Sequence, residues 1–164
     1  MAKGIPSKNG RRSALKDVEP MLATLVDKPP TSGEWLYEVK WDGYRAIAYA
    51  TGGVVEIRSR NNKEFTEKYY PIAASLKAWM PNAVVDGEIV VLDPQGRPDF
   101  GALQNWRSEA DGPLFYYIFD LLWIDGRNVM DLPFTERRAL LRKALKSRPA
   151  KSIVRLSEEF EASG

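Results

Sequence analysis

From Glu34 onward, apolar and polar positions recur in short runs separated by turn residues, a β-rich pattern with a few helical stretches. Trp35 to Trp41 reads as one strand and Tyr44 to Ala50 as a second. Val54 to Arg58 follows across Thr51-Gly-Gly53, a hairpin signal. Ile72, Leu76 and Trp79, with Ala73 and Met80, form an apolar stripe at i, i+4 and i+7 and predict a short helix. Val84 to Leu92 is a strand closed by Asp93-Pro-Gln-Gly96, and Asp99 is placed to cap a short helix running through Trp106. Leu114 to Ile124 is a long aromatic strand, and Asp125-Gly126 turns it into a brief return strand. Thr135 to Lys146 predicts an amphipathic helix with Leu140, Leu141, Ala144 and Leu145 inward. Ahead of this lies a flexible basic arm, 1–19, and then Pro20 to Leu25 leading into the turn-rich loop Asp27 to Gly33. Mostly antiparallel strands with interspersed helices make the fold α+β. No Gly-rich phosphate loop opens a helix, so neither a Rossmann nor a P-loop architecture is supported.

Composition narrows the chemistry. At 164 residues, 44% hydrophobic and 28% charged, the chain is of a size and balance to bury a real core. No apolar run reaches the length of a membrane span, and no apolar segment follows the basic N-terminus, so the expected location is the cytoplasm. Cysteine and histidine are both absent, which removes thiolate nucleophiles, thiolate zinc sites and the Ser-His-Asp triad. Lysine, carboxylates, hydroxyls and an oxygen-liganded cation remain. Net charge is only +2, but Lys3, Lys8, Arg11, Arg12 and Lys16 face no acid in the first sixteen residues. Arg137, Arg138, Arg142, Lys143, Lys146, Arg148 and Lys151 face Glu136 alone. On charge alone, these runs suit a phosphate backbone or a solvated surface equally well.

The densest chemistry is Glu38-Val-Lys40-Trp-Asp42-Gly43-Tyr-Arg45, where one predicted strand ends and the next begins. Strand parity puts Glu38 and Lys40 on one face, Asp42-Gly43 is a common hairpin pair with Gly43 free to take positive φ, and Arg45 returns on the neighbouring strand. The motif gathers an amine, two carboxylates and a guanidinium around one turn. An amine that attacks phosphorus must be neutral, and a nearby arginine, a metal and burial each disfavour the ammonium form. As an exposed charged hairpin, the same residues would carry no function.

This stretch resembles motif I of the ATP-dependent DNA ligases and mRNA-capping enzymes, the covalent nucleotidyltransferase superfamily. Ser59-Arg60-Asn61 resembles the family's next motif, Val85-Asp86-Gly87-Glu88-Ile89 its motif III, and Tyr117-Ile118-Phe119-Asp120-Leu121-Leu122 its motif IIIa, all in the family's order. The wording around Pro20-Met-Leu-Ala and Trp41 to Arg45 is most similar to the ligase domain of bacterial end-joining ligases. The resemblance covers roughly residues 19 to 160. It implies an α+β, ATP-grasp-like nucleotidyltransferase (adenylation) domain with mainly antiparallel sheets and flanking helices. In that family Lys40 would attack the α-phosphate of ATP and hold AMP as a phosphoramidate. Glu38 would lie beside the adenine and read its exocyclic amine by main chain or carboxylate. Arg45 and Arg60 would meet ribose and phosphate, Glu88 the ribose or a Mg2+ (or Mn2+) ion, and Phe119 would stack on the base. Nicked or broken duplex DNA, ATP and end-joining repair partners follow from the same resemblance. Without it, Phe119 reads as plain core, Asp86 and Glu88 as a solvated strand edge, Arg60 as a loop cap and Asp120 as a satisfied buried carboxylate or a structural turn anchor.

Two family motifs do not occur in the sequence, a Glu-Gly segment with a metal-binding carboxylate and a Lys-x-Lys strand that contacts phosphate. The expectation is therefore that 20–164 forms the N-terminal and central part of an adenylation domain, with the oligonucleotide-binding (OB-fold) domain absent, and that this chain alone does not seal nicks. Its missing strands would leave an unpaired, partly apolar edge. Two other functions stand beside this one: an RNA ligase or capping-type nucleotidyltransferase, and a non-catalytic nucleotide- or DNA-binding remnant.

Overall fold

The structure, a computed structural model, describes Leu15 and residues 17–80 and 82–160. Most of the basic arm expected over 1–19 lies outside the described residues.

Two hairpin strands start the main sheet: β2 (Tyr44–Thr51) and β3 (Val54–Ser59). Gly52 and Gly53 between them have φ of 61° and 78°, the left-handed pair that a two-residue hairpin turn needs. Helix α1 (Tyr70–Trp79), opened by Pro71 in its first turn, leads to β4 (Ala83–Val91). Helix α2 (Phe100–Asn105) is capped as expected, the Asp99 carboxylate accepting from the Ala102 N–H at 2.8 Å. Then come β5 (Leu114–Ile124), the short β6 (Arg127–Asn128), helix α3 (Phe134–Leu145) and β7 (Val154–Leu156). The sheet runs β3-β2-β4-β5-β6, antiparallel throughout, with β7 added parallel to the first half of β5. A separate two-stranded sheet pairs β1 (Tyr37–Glu38) with β8 (Glu159–Phe160).

Strand parity divides the main sheet into two faces. Ala46 and Ala48 of β2, Val85 and Ile89 of β4, and Tyr116 and Ile118 of β5 point to one side, where Ile72, Leu76, Leu103, Trp106, Leu141 and Leu145 of the helical segments close over them. Arg45, Asp86, Glu88, Tyr117 and Phe119 alternate with these residues and so belong to the opposite face. That face carries only a small apolar cluster of its own, built on Ile47, Tyr49, Val84, Leu122 and Trp123.

Three local expectations are corrected. The strand predicted over Trp35 to Trp41 shrinks to Tyr37–Glu38, and it pairs with Glu159–Phe160 instead of β2. Asp42-Gly43 therefore forms no hairpin, and Gly43 is not among the residues with positive φ. Its need for glycine is one of space, because a Cβ there would lie 2.1 Å from the Ile89 carbonyl oxygen. Asp86 and Glu88 do not form a solvated edge. They sit on β4, flanked by β2 and β5, and Asp86 is 3% exposed.

Candidate functional site

The face opposite the core opens into a cleft of about 640 Å³, and Glu38, Lys40, Arg45, Arg60, Glu88 and Phe119 all line it. The six candidates thus come together from four separate stretches of chain. Each reaches the cleft by a different local route.

Arg45 and Glu88 are register partners across β2 and β4. The Arg45 guanidinium reaches diagonally to Asp86 instead, its Nε and Nη2 donating to the two carboxylate oxygens at 3.1 and 2.7 Å. Its Nη1 donates to the Met21 carbonyl at 2.6 Å, tying the segment before β1 to β2. Val18, Glu19, Met21, Leu22 and Ala23 of that segment form part of the cleft wall. The Arg45 guanidinium also lies 5.2 Å from the centroid of the Phe119 ring.

Phe119 reaches the cleft by alternation with Tyr116 and Ile118, and an irregularity in β5 follows it. Asp86 pairs with Asp120 but Gly87 pairs with Ile118, so Phe119 has no partner on β4. A residue skipped in this way bends its strand, and here it brings Asp120 to the same face as Phe119. The ring is half-buried on the cleft wall, not in the core.

Glu88 is half-buried, and burial pushes its carboxyl up to about 7, with Asp86 and Asp42 adding to the rise and Arg45 and Lys40 opposing it. Burial likewise raises Asp86, against the pull of Arg45. Glu38 is raised by burial against Arg138, with Asp120 and Glu159 adding to the effect. The Lys40 side chain is exposed in the cleft and makes no hydrogen bond or ion pair among the described residues. Arg60 is exposed on the loop after β3, its backbone N–H donating to the Arg45 carbonyl at 3.1 Å.

The mounting of Lys40 comes from its neighbours. The Trp41 ring stacks on Tyr117 at 3.8 Å between centroids, and its Nε1 donates to the Ser157 hydroxyl at 3.0 Å. Ser157, fully buried, donates its own N–H to the Ile118 carbonyl at 2.8 Å. On the far wall, Arg137 holds Asp120 through Nε and Nη2 at 2.8 and 3.0 Å. Asp120 is thus a satisfied carboxylate, partly buried on the cleft wall.

No local pattern in the sequence marks Asp86 as the partner of Arg45, Arg137 as the partner of Asp120, or the 18–23 segment as a wall. Arg138 belongs to a basic run that suits a phosphate backbone or a solvated surface, yet it is 1% exposed. The signal was available: Arg138, Leu141 and Leu145 fall at i, i+3 and i+7, one stripe of α3.

Metal ligation has limited support from the protein alone. Among the described residues no group of three or more carboxylates is placed to hold an ion. Glu88 alone still fits Mg2+, which is commonly held by one or two carboxylates together with substrate phosphates. Two carboxylates raised by burial on one strand are also what an added cation would relieve.

A family model described as the ATP dependent DNA ligase domain matches residues 20–163. The multifunctional non-homologous end joining protein LigD of Pseudomonas aeruginosa is 40% identical over 144 residues, covering 86% of this chain and 17% of that protein. DNA ligase C of Mycobacterium tuberculosis is 36% identical, over 77% of this chain and 37% of the relative. The crystal structure of the ligase domain of M. tuberculosis LigD superposes with a TM-score of 0.67 at 33% identity, over 79% of this chain and 41% of that one. A mycobacterial DNA ligase D complexed with ATP and MES gives a TM-score of 0.65 at 32% identity. This chain therefore spans less than half the length of each of these relatives. The α+β, mainly antiparallel fold matches that of the corresponding part of the LigD ligase domain. With the family model extending over nearly all of its length, the chain belongs to the ATP-dependent DNA ligase domain family.

Proposed function

We propose that the cleft is an adenylation centre in which Lys40 takes AMP from ATP, the first step in sealing breaks in duplex DNA. The observation that carries this reading is the convergence of all six candidate residues on one cleft in a member of this family. In the reaction, the neutral Lys40 amine, its proton lost to solvent, forms an N–P bond at the α-phosphorus. The bond to the bridging oxygen breaks, and pyrophosphate leaves with the electron pair. Nucleotidyl transfer is catalysed chiefly by positioning and charge stabilisation. Arg60, free of carboxylate partners among the described residues, meets phosphate. Arg45, held by Asp86 and the Met21 carbonyl, would meet ribose and phosphate through the N–H groups that those contacts leave free. Phe119 offers a face to the base and Glu38 an acceptor to its amine. Glu88 would hold Mg2+, or Mn2+ in its place, whose contribution is neutralisation of phosphate charge.

The reading extends to 20–164 as part of an adenylation domain, to nicked or broken duplex DNA as the substrate that receives AMP, and to a role in end joining with its repair partners. A cytoplasmic location goes with that substrate. The test is incubation of the purified chain with Mg2+ and α-labelled ATP beside Lys40→Ala. Acid-labile label on the parent and none on the variant supports adenylation. ATP binding without label on either makes the chain a nucleotide-binding module, and label from GTP but not ATP moves it to the capping type.

A further inference from the structure

Arg138 lies where α3, β5, β1 and β8 meet, and its contacts span all four. Its Nε donates to Glu159 Oε2 of β8 at 2.8 Å and its Nη2 to the Ser157 carbonyl at 2.6 Å. Its Nη1 donates to the Phe119 carbonyl at 3.0 Å and lies 3.5 Å from Glu38 Oε1 of β1. The Phe119 carbonyl belongs to the residue that the bulge leaves without a partner on β4. Glu38 Oε1 is buried and makes no hydrogen bond. Glu159 also pairs with Arg142, so it does not depend on Arg138 alone for a cation.

Burying a guanidinium is costly unless its donors are satisfied, and Glu159 with two carbonyls already does that here. The approach of a second carboxylate is extra to that need. It draws one oxygen of Glu38 inward and limits the ways in which the rest of the side chain, 31% exposed, can face the cleft. The same guanidinium grips the backbone of Phe119. One buried cation therefore fixes both the acceptor and the ring that flank the proposed base position, from behind the cleft wall and outside the cleft lining.

We propose that Arg138 is a positioning residue that sets base selectivity, holding the Glu38 carboxylate and the Phe119 backbone so that Glu38 accepts from the exocyclic amine of adenine. This rests on the reading of the cleft as an ATP site. The test compares ATP with purine riboside triphosphate, which lacks only that amine, by isothermal titration calorimetry. The proteins are the parent, Arg138→Met, Arg138→Lys, Glu38→Ala and the double variant R138M/E38A. The parent should prefer ATP by about tenfold, the loss expected when a site built for a donor is left unpaired. R138M and E38A should each abolish the preference for ATP over purine riboside triphosphate, and the double variant should lose no further preference. If R138M does not fold, R138K carries the test, since lysine keeps the buried charge but lacks the fork that grips several partners at once. Preference retained in either folded variant overturns the proposal, as does an equal loss for both nucleotides, which is what a purely structural staple gives. A parent that binds both nucleotides alike overturns this proposal and leaves the nucleotide site standing. A parent that binds neither overturns the nucleotide site itself, and this proposal with it.

Discussion

Replacing Arg45 with methionine would leave the Asp86 carboxylate buried in the middle of a sheet without its cation. The pair is bidentate at 3.1 and 2.7 Å, and Asp86 is 3% exposed. Breaking a fully buried pair from one side costs about 3–5 kcal/mol. The Arg45 side chain, however, is 22% exposed, so water already screens part of the interaction and a loss of about 2–3 kcal/mol is the reasoned figure. For a chain of this length that corresponds to a fall in Tm of roughly 5–10 °C. The loss should depend on pH with a definite sign. Burial raises Asp86 above its ordinary value even with Arg45 present, and removing the cation raises it further. A carboxyl raised on folding costs nothing while both states are protonated, and it subtracts stability as pH climbs from the unfolded value through the folded one. R45M should therefore lose more at pH 8 than at pH 5, and R45M/D86N should recover at least about 1 kcal/mol at pH 8 relative to the sum of the single variants. Denaturant melts at the two pH values give the measurement. Equal losses at pH 5 and pH 8, or strict additivity in the double variant, would refute a stranded carboxylate as the cause.

Gly43→Ala should cost about 3 kcal/mol in denaturant melts, because the new Cβ would meet a backbone oxygen at 2.1 Å and neither β2 nor β4 can give way cheaply. Full stability in that variant would mean that the β2–β4 register relaxes there. Glu88 is raised to about 7, so the parent without metal should lose about 1–2 kcal/mol, discounted for partial exposure, as pH rises from about 4.5 to 7. Glu88→Gln should flatten that slope in thermal melts, and an unchanged slope counts against Glu88 as its source. Ser157→Ala takes away the acceptor of the Trp41 indole N–H and should cost about 1 kcal/mol, with a change in Trp41 emission. An unaltered melt and spectrum would show that the stack on Tyr117 suffices.

Much of the cleft was legible in the sequence because a strand alternates faces. Once Tyr44 to Ala50, Val84 to Leu92 and Leu114 to Ile124 are read as antiparallel neighbours, Arg45 and Glu88 fall on the side away from the helices. Asp99 and the Gly52-Gly53 turn were equally readable, since capping and positive φ are set within a few residues. What escaped was non-local. The two-residue strands Tyr37–Glu38 and Glu159–Phe160 are too short to show a period, so nothing in the sequence tells Glu38 to seek a partner more than a hundred positions away. Phe119 reads as core on an aromatic strand until alternation with Tyr116 and Ile118 is followed, whereas Asp120 shares its face through a bulge, and a bulge is settled between two strands. Asp42-Gly43 carried a hairpin signal that tertiary packing overrode.

The small sheet on which Glu38 and the approach to Lys40 are mounted also says something about motion. Its ladder is two residues long on each side, and its long side chains Tyr37 and Phe160 stack near solvent at 6.0 Å. The β4–β5 ladder, by contrast, spans nearly all of both strands. Free energies of local opening follow such differences, so Tyr37–Glu38 and Glu159–Phe160 should detach together well below the cost of global unfolding. Amide exchange at these positions should run ahead of exchange in Val84–Val90, and the two short strands should gain protection in step. The proposed nucleophile would then ride on a separately opening unit beside a rigid sheet, with the Trp41 and Arg138 contacts setting how often that unit lets go.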